Sequence, residues 1–282
     1  MREIDLFLVE DLVKTALHED MEHGDITTDL TVPADQDGTA VIISKESGIC
    51  AGIAVAELAF HLLDSNVRFN RHIQDGEGFG KGRILLKIQA RARAILKAER
   101  VALNILQRMC GIATLSRAFS QEIQHLPCRI VDTRKTTPGL RILEKYAVSV
   151  GGSHNHRHSL ADGILIKDNH IKAAGSITEA VSRVRQGAPH SIRIQVEVTS
   201  IQELQEAISA GADAVLLDNM ELEELRKSVQ MARERAPTLL VEASGGITLS
   251  NVRKVAETGV DLISTGMLTH SVKAVDLSLN FT

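Results

Sequence analysis

The 282-residue chain has no tryptophan, one tyrosine and six phenylalanines, so aromatic residues make up 2% of it. That leaves little material for stacking on single-stranded bases. An excess of positive charge is also missing: 32 Lys and Arg stand against 36 Asp and Glu, for a net charge of −4. General nucleic-acid binding is thereby excluded, and any positive field must be local. Three cysteines (Cys50, Cys110, Cys128) lie far apart without a CxxC pair, which reads as plain buried thiols in a reducing compartment. No apolar run approaches the roughly 20 residues that span a bilayer. The acid-rich start "MREIDLFLVEDLVKTALHED" is expected to be neither signal nor transit peptide. The expected setting is the cytoplasm, with no membrane partner.

What is present falls into two textures. Residues 5–19 carry Leu6, Val9, Leu12, Val13 and Ala16 at helical spacing, and "GDITTDL" reads as a turn into an extended segment. "GTAVIISKESGICAG" and "ILLKIQARARAIL" alternate as half-buried strands around a helix, "AVAELAFHLL". The glycines of "DGEGFGKG" lack the strand–turn–helix setting of a dinucleotide fingerprint and read as a turn. A long helix, "AERVALNILQRMCGIATLSRAFSQEIQHL", leads to Pro127. Beyond it, short β-branched runs alternate with amphipathic helices: "RIVDT", "AVSVGG", "GILIKD", "IRIQVEV", "DAVLLDN", "TLLVEASGG" and "VDLISTG". Such repetition implies parallel strands with right-handed crossovers. The late runs end on Glu197, Asp218, Ser244 and Thr265, about twenty to twenty-six residues apart, the size of one compact βα unit. A doubly wound sheet shares this local pattern. Polar or glycine endings on nearly every strand favour a barrel, which brings all such ends to one mouth. About seven strands predict an incomplete barrel.

The strand ends sort by chemistry. Arg134 and Lys135 follow "RIVD", His156 and Arg157 follow in "HNHRHS", and Lys167 ends "GILIK". On one mouth these donors make a cationic pocket, with Arg suited to bidentate pairing and Lys to point-charge contact. Glu197 and Asp218 come next, carboxylates of the kind that hold Mg²⁺ or ribose hydroxyls. "ASGGIT" and "STGMLTH" then place glycines and hydroxyls before helix starts, the makings of a phosphate cradle. The order suits a small polyanion beside a phosphorylated sugar, with Mg²⁺.

Residues 150–170 also hold His154, His156, His158 and His170. In an extended chain His154, His156 and His158 share one face, so a tri-histidine metal site is geometrically open. Neighbouring Arg157 and Lys167 disfavour a bound cation and favour an anion held by at least one of these histidines. A metal-binding protein and a flavin- or phosphate-binding barrel with other chemistry stay open at this point.

Taken together, "ERVALNILQRMCGIAT", "DTRKTTPGLR", "NHRHSLADGILIKDNHI", "VEV", "LDN", "ASGGI" and "STGMLTHS" resemble the quinolinate phosphoribosyltransferase family, along with "HEDMEHGDITTDL" near the start. The resemblance implies an N-terminal α/β sandwich domain over 1–112, an incomplete seven-stranded α/β barrel over 113–270, and a tail, 271–282, packing on the first domain. It implies a homodimer in which Arg100 reaches the neighbouring active site. Carried over, Arg100, Arg134, His156 and Arg157 hold the two carboxylates of quinolinate, and Lys135 and Lys167 line the gap to phosphoribosyl pyrophosphate. Glu197 and Asp218 serve ribose and Mg²⁺; Ser244, Gly245, Gly246, Thr265 and Gly266 bind the 5-phosphate. Val150, His158 and "STG" depart from the family's commoner residues without removing a charged ligand. A related molybdenum-associated protein of the same fold is the nearest alternative.

Overall fold

The computed structural model describes residues 4–282. After a 3₁₀ turn, Leu6–Leu8, come α1 (Glu10–Met21), α2 (Ile26–Thr31), β1 (Asp37–Ser44), β2 (Gly48–Ile49), α3 (Ile53–His61), β3 (Arg68–Arg71), β4 (Gly78–Phe79), β5 (Ile84–Arg91) and α4 (Ala92–Glu122). The remainder runs β6 (Arg129–Val131), α5 (Arg141–Gly151), β7 (Ile164–Ile166), α6 (Asp168–Ala174), α7 (Ile177–Gly187), β8 (Ile194–Val198), α8 (Ile201–Ser209), β9 (Ala214–Asp218), α9 (Leu222–Arg235), β10 (Leu240–Ser244), α10 (Val252–Ala256), β11 (Leu262–Ser264), α11 (Met267–His270) and β12 (Leu277–Phe281). The chain divides into two compact units, one of residues 1–117, 137–152 and 271–282, the other of 118–136 and 153–270. The sequence-based division, with its cut after residue 112, differs from these units at 113–117 and 137–152.

In the first unit, four strands form an antiparallel sheet in the order β12-β1-β5-β3. The tail strand β12 pairs with β1 from Ala40↔Phe281 to Ser44↔Leu277. α3 begins at Gly52, which has no side chain to cap it. The Asp75 carboxylate does so instead, accepting from the N–H groups of Gly52 and Ile53 at 2.8 and 3.1 Å.

Two sequence-based expectations fail in this unit. "GDITTDL" is not extended: Asp25 caps α2, its Oδ1 accepting from Thr28 N at 2.9 Å and its Oδ2 from Thr28 Oγ1 at 2.5 Å. "AVSVGG" is not a strand but the end of α5. β-branched Val148 and Val150 favour a strand locally, yet both are buried on the helix together with Leu143 and Ala147. The buried Glu144 carboxylate anchors that helix, its Oε1 accepting from Arg108 Nε at 2.8 Å. Arg117 Nε donates to the Gly151 carbonyl at 2.8 Å, and Gly152 ends the helix in the left-handed region.

The second unit holds a parallel sheet in the order β6-β11-β10-β9-β8-β7. It has six strands rather than the expected seven, because that count included residues 147–152. A single parallel bridge, Val131↔His154, extends the β6 edge. Parallel partners point to the same side of a sheet, and side chains alternate along each strand. The register Glu197↔Leu216, Leu216↔Glu242 and Glu242↔Leu262 therefore puts Glu197, Glu242 and their i±2 neighbours on one face. Val196, Val198, Val215, Leu217, Val241 and Ile263 point to the other face and are fully buried. α7, α8 and α9 pack side by side next to these strands.

Helix packing within the first unit generates a stability test. A Cβ on Gly151 would strike the Ala113 carbonyl oxygen and lie 2.5 Å from Ser116 Cβ, whereas one on Gly187 meets nothing within 4 Å. Gly151→Ala should lower the unfolding free energy by about 1–3 kcal/mol, as overpacking does. Gly187→Ala should leave it within about 0.5 kcal/mol, measured for both by urea denaturation.

Candidate active site

The carboxyl ends of the parallel strands open onto a cavity of about 620 Å³. Its lining follows the alternation just described. Leu165 and Lys167, Glu197, Leu216 and Asp218, Glu242 and Ser244, and Ser264 all lie on the same face. Arg134, Lys135, His156, Arg157, Gly245, Gly246, Thr265 and Gly266 complete the expected set around the same space. Thr133, Asn219, Glu242, Thr248, Met267 and His270 line it as well and were not anticipated. Arg100 is not among the lining residues; it sits on α4, its side chain mostly exposed and 4.0 Å from Glu99 Oε1.

Buried carboxylates hold the cationic wall in shape. Asp132, fully buried just past β6, accepts from His156 N at 2.8 Å and from Asn155 Nδ2 at 2.7 Å. Arg157 N in turn donates to His156 Nδ1 at 2.8 Å, and Arg157 Nη1 to the Gly163 carbonyl at 2.9 Å. Burial lowers the affinity of the Arg157 guanidinium for its proton, and the charge of Arg134 adds to the effect. Two like charges therefore face the same space, and an anion between them relieves their repulsion. In the same cavity, Lys167 Nζ donates to Glu197 Oε2 at 2.5 Å.

The histidines of 150–170 do not converge. His156 lines the cavity, whereas His154 and His158 do not. Burial, and then the charge of Arg129, holds the His154 imidazole below its ordinary pKa. His170 Nδ1 accepts from Lys167 N at 3.0 Å and so fixes the start of α6. Among the described residues no group of three His, Cys, Asp or Glu side chains is placed to hold a metal ion. Glu197 and Asp218, at the ends of adjacent strands, supply two carboxylates to the same cavity. Such a pair fits Mg²⁺, a hard cation that keeps several waters and takes few protein ligands.

A glycine turn also lines the cavity. Gly245 and Gly246 follow β10 with φ of 92° and 61°, and Asn219, after β9, has φ of 54°. A Cβ on Gly245 would collide with the Asn219 side chain, so both the backbone angle and the space require glycine there. Chain reversals of this kind turn backbone N–H groups toward a bound anion.

Fold and site together define a βα enzyme architecture whose strand ends surround one charged cavity. Residues 25–110 match the family profile "Quinolinate phosphoribosyl transferase, N-terminal domain", and 112–280 match its "C-terminal domain". The chain belongs to the quinolinate phosphoribosyltransferase family. It is 46% identical to a probable carboxylating nicotinate-nucleotide pyrophosphorylase of Bacillus subtilis, over 94% of this chain and 90% of that one. It is 43% identical to the carboxylating nicotinate-nucleotide pyrophosphorylase of Mycobacterium leprae, over 96% of each. Among solved structures, the nicotinate-nucleotide pyrophosphorylase of Francisella tularensis superposes with a TM-score of 0.93 at 38% identity, covering 99% of this chain and 98% of that one.

The Asp132 arrangement is testable. Asp132→Asn replaces one acceptor oxygen by an amide facing a donor and should cost about 1.5–3 kcal/mol, the value of a buried charged hydrogen bond. Urea denaturation reads that loss, and faster hydrogen exchange at the His156 amide reads its location.

Proposed function

We propose that this chain transfers the phosphoribosyl group of phosphoribosyl pyrophosphate to quinolinate with decarboxylation, giving nicotinate mononucleotide, pyrophosphate and CO₂ in NAD biosynthesis. The observation that carries this reading is the convergence of Arg134, His156, Arg157 and Lys167 with two carboxylates and a glycine turn on one cavity. The names borne by relatives at 43–46% identity agree with it.

Arg134, His156 and Arg157 bind the two quinolinate carboxylates, and Lys135 and Lys167 flank the gap between substrates. Ser244, Gly245, Gly246, Thr265 and Gly266 hold the 5-phosphate. Glu197 and Asp218 hold the ribose hydroxyls and Mg²⁺. Bound Mg²⁺ would offset negative charge on the pyrophosphate as it departs. The quinolinate nitrogen forms a bond to the anomeric carbon while the bond to pyrophosphate breaks, and the lysines and arginines stabilise the departing charge. With the ring nitrogen cationic, the adjacent carboxylate leaves as CO₂; its electron pair remains on the ring carbon, which takes up a proton. No protein nucleophile is required, so positioning and electrostatics do the work.

This reading includes a homodimer in which Arg100 completes the partner's site. Phe7, Leu8, Ile26 and Leu30 support it, since all four are more than half exposed near the start of the chain and call for a cover. The His154 bridge is read as the remnant of a seventh strand, in keeping with an incomplete barrel. A cytoplasmic setting is proposed on the three buried free thiols, and no described helix is long and apolar enough to cross a membrane.

Incubation with quinolinate, phosphoribosyl pyrophosphate and Mg²⁺ should yield CO₂ and nicotinate mononucleotide in equal amounts; absence of both overturns the reading. Excess EDTA should abolish turnover, and added Mg²⁺ should restore it. Arg157→Ala should weaken quinolinate roughly ten- to a hundredfold in calorimetry, the loss of one charged hydrogen bond. Unchanged affinity would remove Arg157 from the dicarboxylate site.

A further inference from the structure

We propose that Glu242 is a positioning residue for the dicarboxylate end of the cavity, acting through His156. The inference rests on the reading that His156 and Arg157 face the pyridine substrate. Glu242 lies in β10 with no exposed surface, an unusual place for a carboxylate in a strand whose neighbours are Val241 and Ala243. A buried charge is retained only where partners compensate its desolvation. Here Gln195 Nε2 donates to Glu242 Oε2 at 2.8 Å, and His156 Nε2 stands 3.3 Å from the same oxygen. Burial pushes the Glu242 carboxyl up. Its hydrogen bonds, that of His156 foremost and then those of the Ser264 hydroxyl and the Gln195 amide, outweigh it and leave the group below the ordinary carboxylate range.

The other ring nitrogen decides the direction of the chain of contacts. His156 Nδ1 accepts the Arg157 N–H at 2.8 Å, so it carries no proton, and the ring proton sits on Nε2, directed at Glu242. The imidazole is thus held at both nitrogens, while Asp132 holds the His156 backbone N–H at 2.8 Å. Glu242 fixes the ring, the ring fixes the Arg157 backbone, and Arg157 presents its guanidinium to the cavity. The contacts of this relay run from Glu242 to His156 and from His156 to the Arg157 backbone, toward the residues read as binding the pyridine substrate. Loss of the Glu242 charge should therefore disturb the pyridine end selectively.

The test uses the full-length protein and Glu242→Gln, which keeps the shape and removes the charge. The KM for quinolinate should rise about tenfold, the order expected when one charged hydrogen bond is lost. The KM for phosphoribosyl pyrophosphate should change less than twofold. Glu242→Asp should recover part of the loss. Independently, ¹⁵N NMR of histidine-labelled protein, with the His156 signal assigned by its absence from His156→Asn, should show wild-type His156 protonated at Nε2 alone. A folded Glu242→Gln with unchanged quinolinate KM, or equal rises in both KM values, overturns the proposal. So does a wild-type His156 protonated at Nδ1, a result that stands even where the variant does not fold. Failure of the wild type to turn over quinolinate would instead remove the functional reading, leaving the Glu242–His156 link to be decided by NMR.

Discussion

A β-strand can point only every second side chain to a given face, and a parallel sheet keeps that choice in step from strand to strand. Here the constraint acts on six strands, so the residues reaching the cavity are set by parity as much as by identity. Lys167, Glu197, Asp218 and Ser244 share one face at the strand ends, with Leu165, Gln195, Leu216 and Glu242 one step below. The alternate residues, such as Val198, Leu217 and Ala243, are apolar and buried. A one-residue slip in any strand would exchange the two sets, sending charge into the packed face and valine into the cavity.

Within this frame the cationic wall depends on anions behind it. Asp132 and Glu242 are both fully buried, and each has donors that belong to the residues 155–157 or to the sheet interior. Arginines crowded toward one space repel each other, as the effect of Arg134 on Arg157 registers. Fixed carboxylates beneath them offset that repulsion without occupying the cavity, and they turn a flexible loop into a preorganised surface. Preorganisation matters because donors already aimed at the anion need not reorganise when it arrives.

Much of this was legible in the sequence, and for identifiable reasons. Polar residues closing short apolar runs marked the strand ends, and the twelve site residues in those segments line one cavity; Arg100, implied only by the family resemblance, does not. "AVSVGG" misled because Val148 and Val150 favour strands locally, whereas Arg108, Glu144 and the buried helix face decide the outcome through contacts distant in sequence. "GDITTDL" misled differently: Asp25 three residues before Thr28 is a capping signal that lay open to reading. Glu242 had no such signal. A lone acid in "LVEAS" looks like a solvated strand end until the register with Leu216 and Leu262 places it on the interior face. Its partners Gln195 and His156 are 47 and 86 positions away, beyond any local pattern.

The charges of the cavity then divide by burial into two kinds. Asp132 and Glu242 have no exposed surface, so separating them from their partners would leave an uncompensated charge in a medium of low dielectric. Lys167 and Glu197 are paired too, but the lysine side chain is 45% exposed and the glutamate 15%. Water reaches that pair, and an ion pair within reach of water is worth little and exchanges partners readily. The pair therefore suits groups that change partners, as the proposed entry of a substrate anion and Mg²⁺ would require. The buried acids suit groups that must not move at all. Deep pairs fix the geometry and the shallow pair stays open to exchange, and the boundary between them is the single step along each strand that separates Gln195 from Glu197 and Glu242 from Ser244.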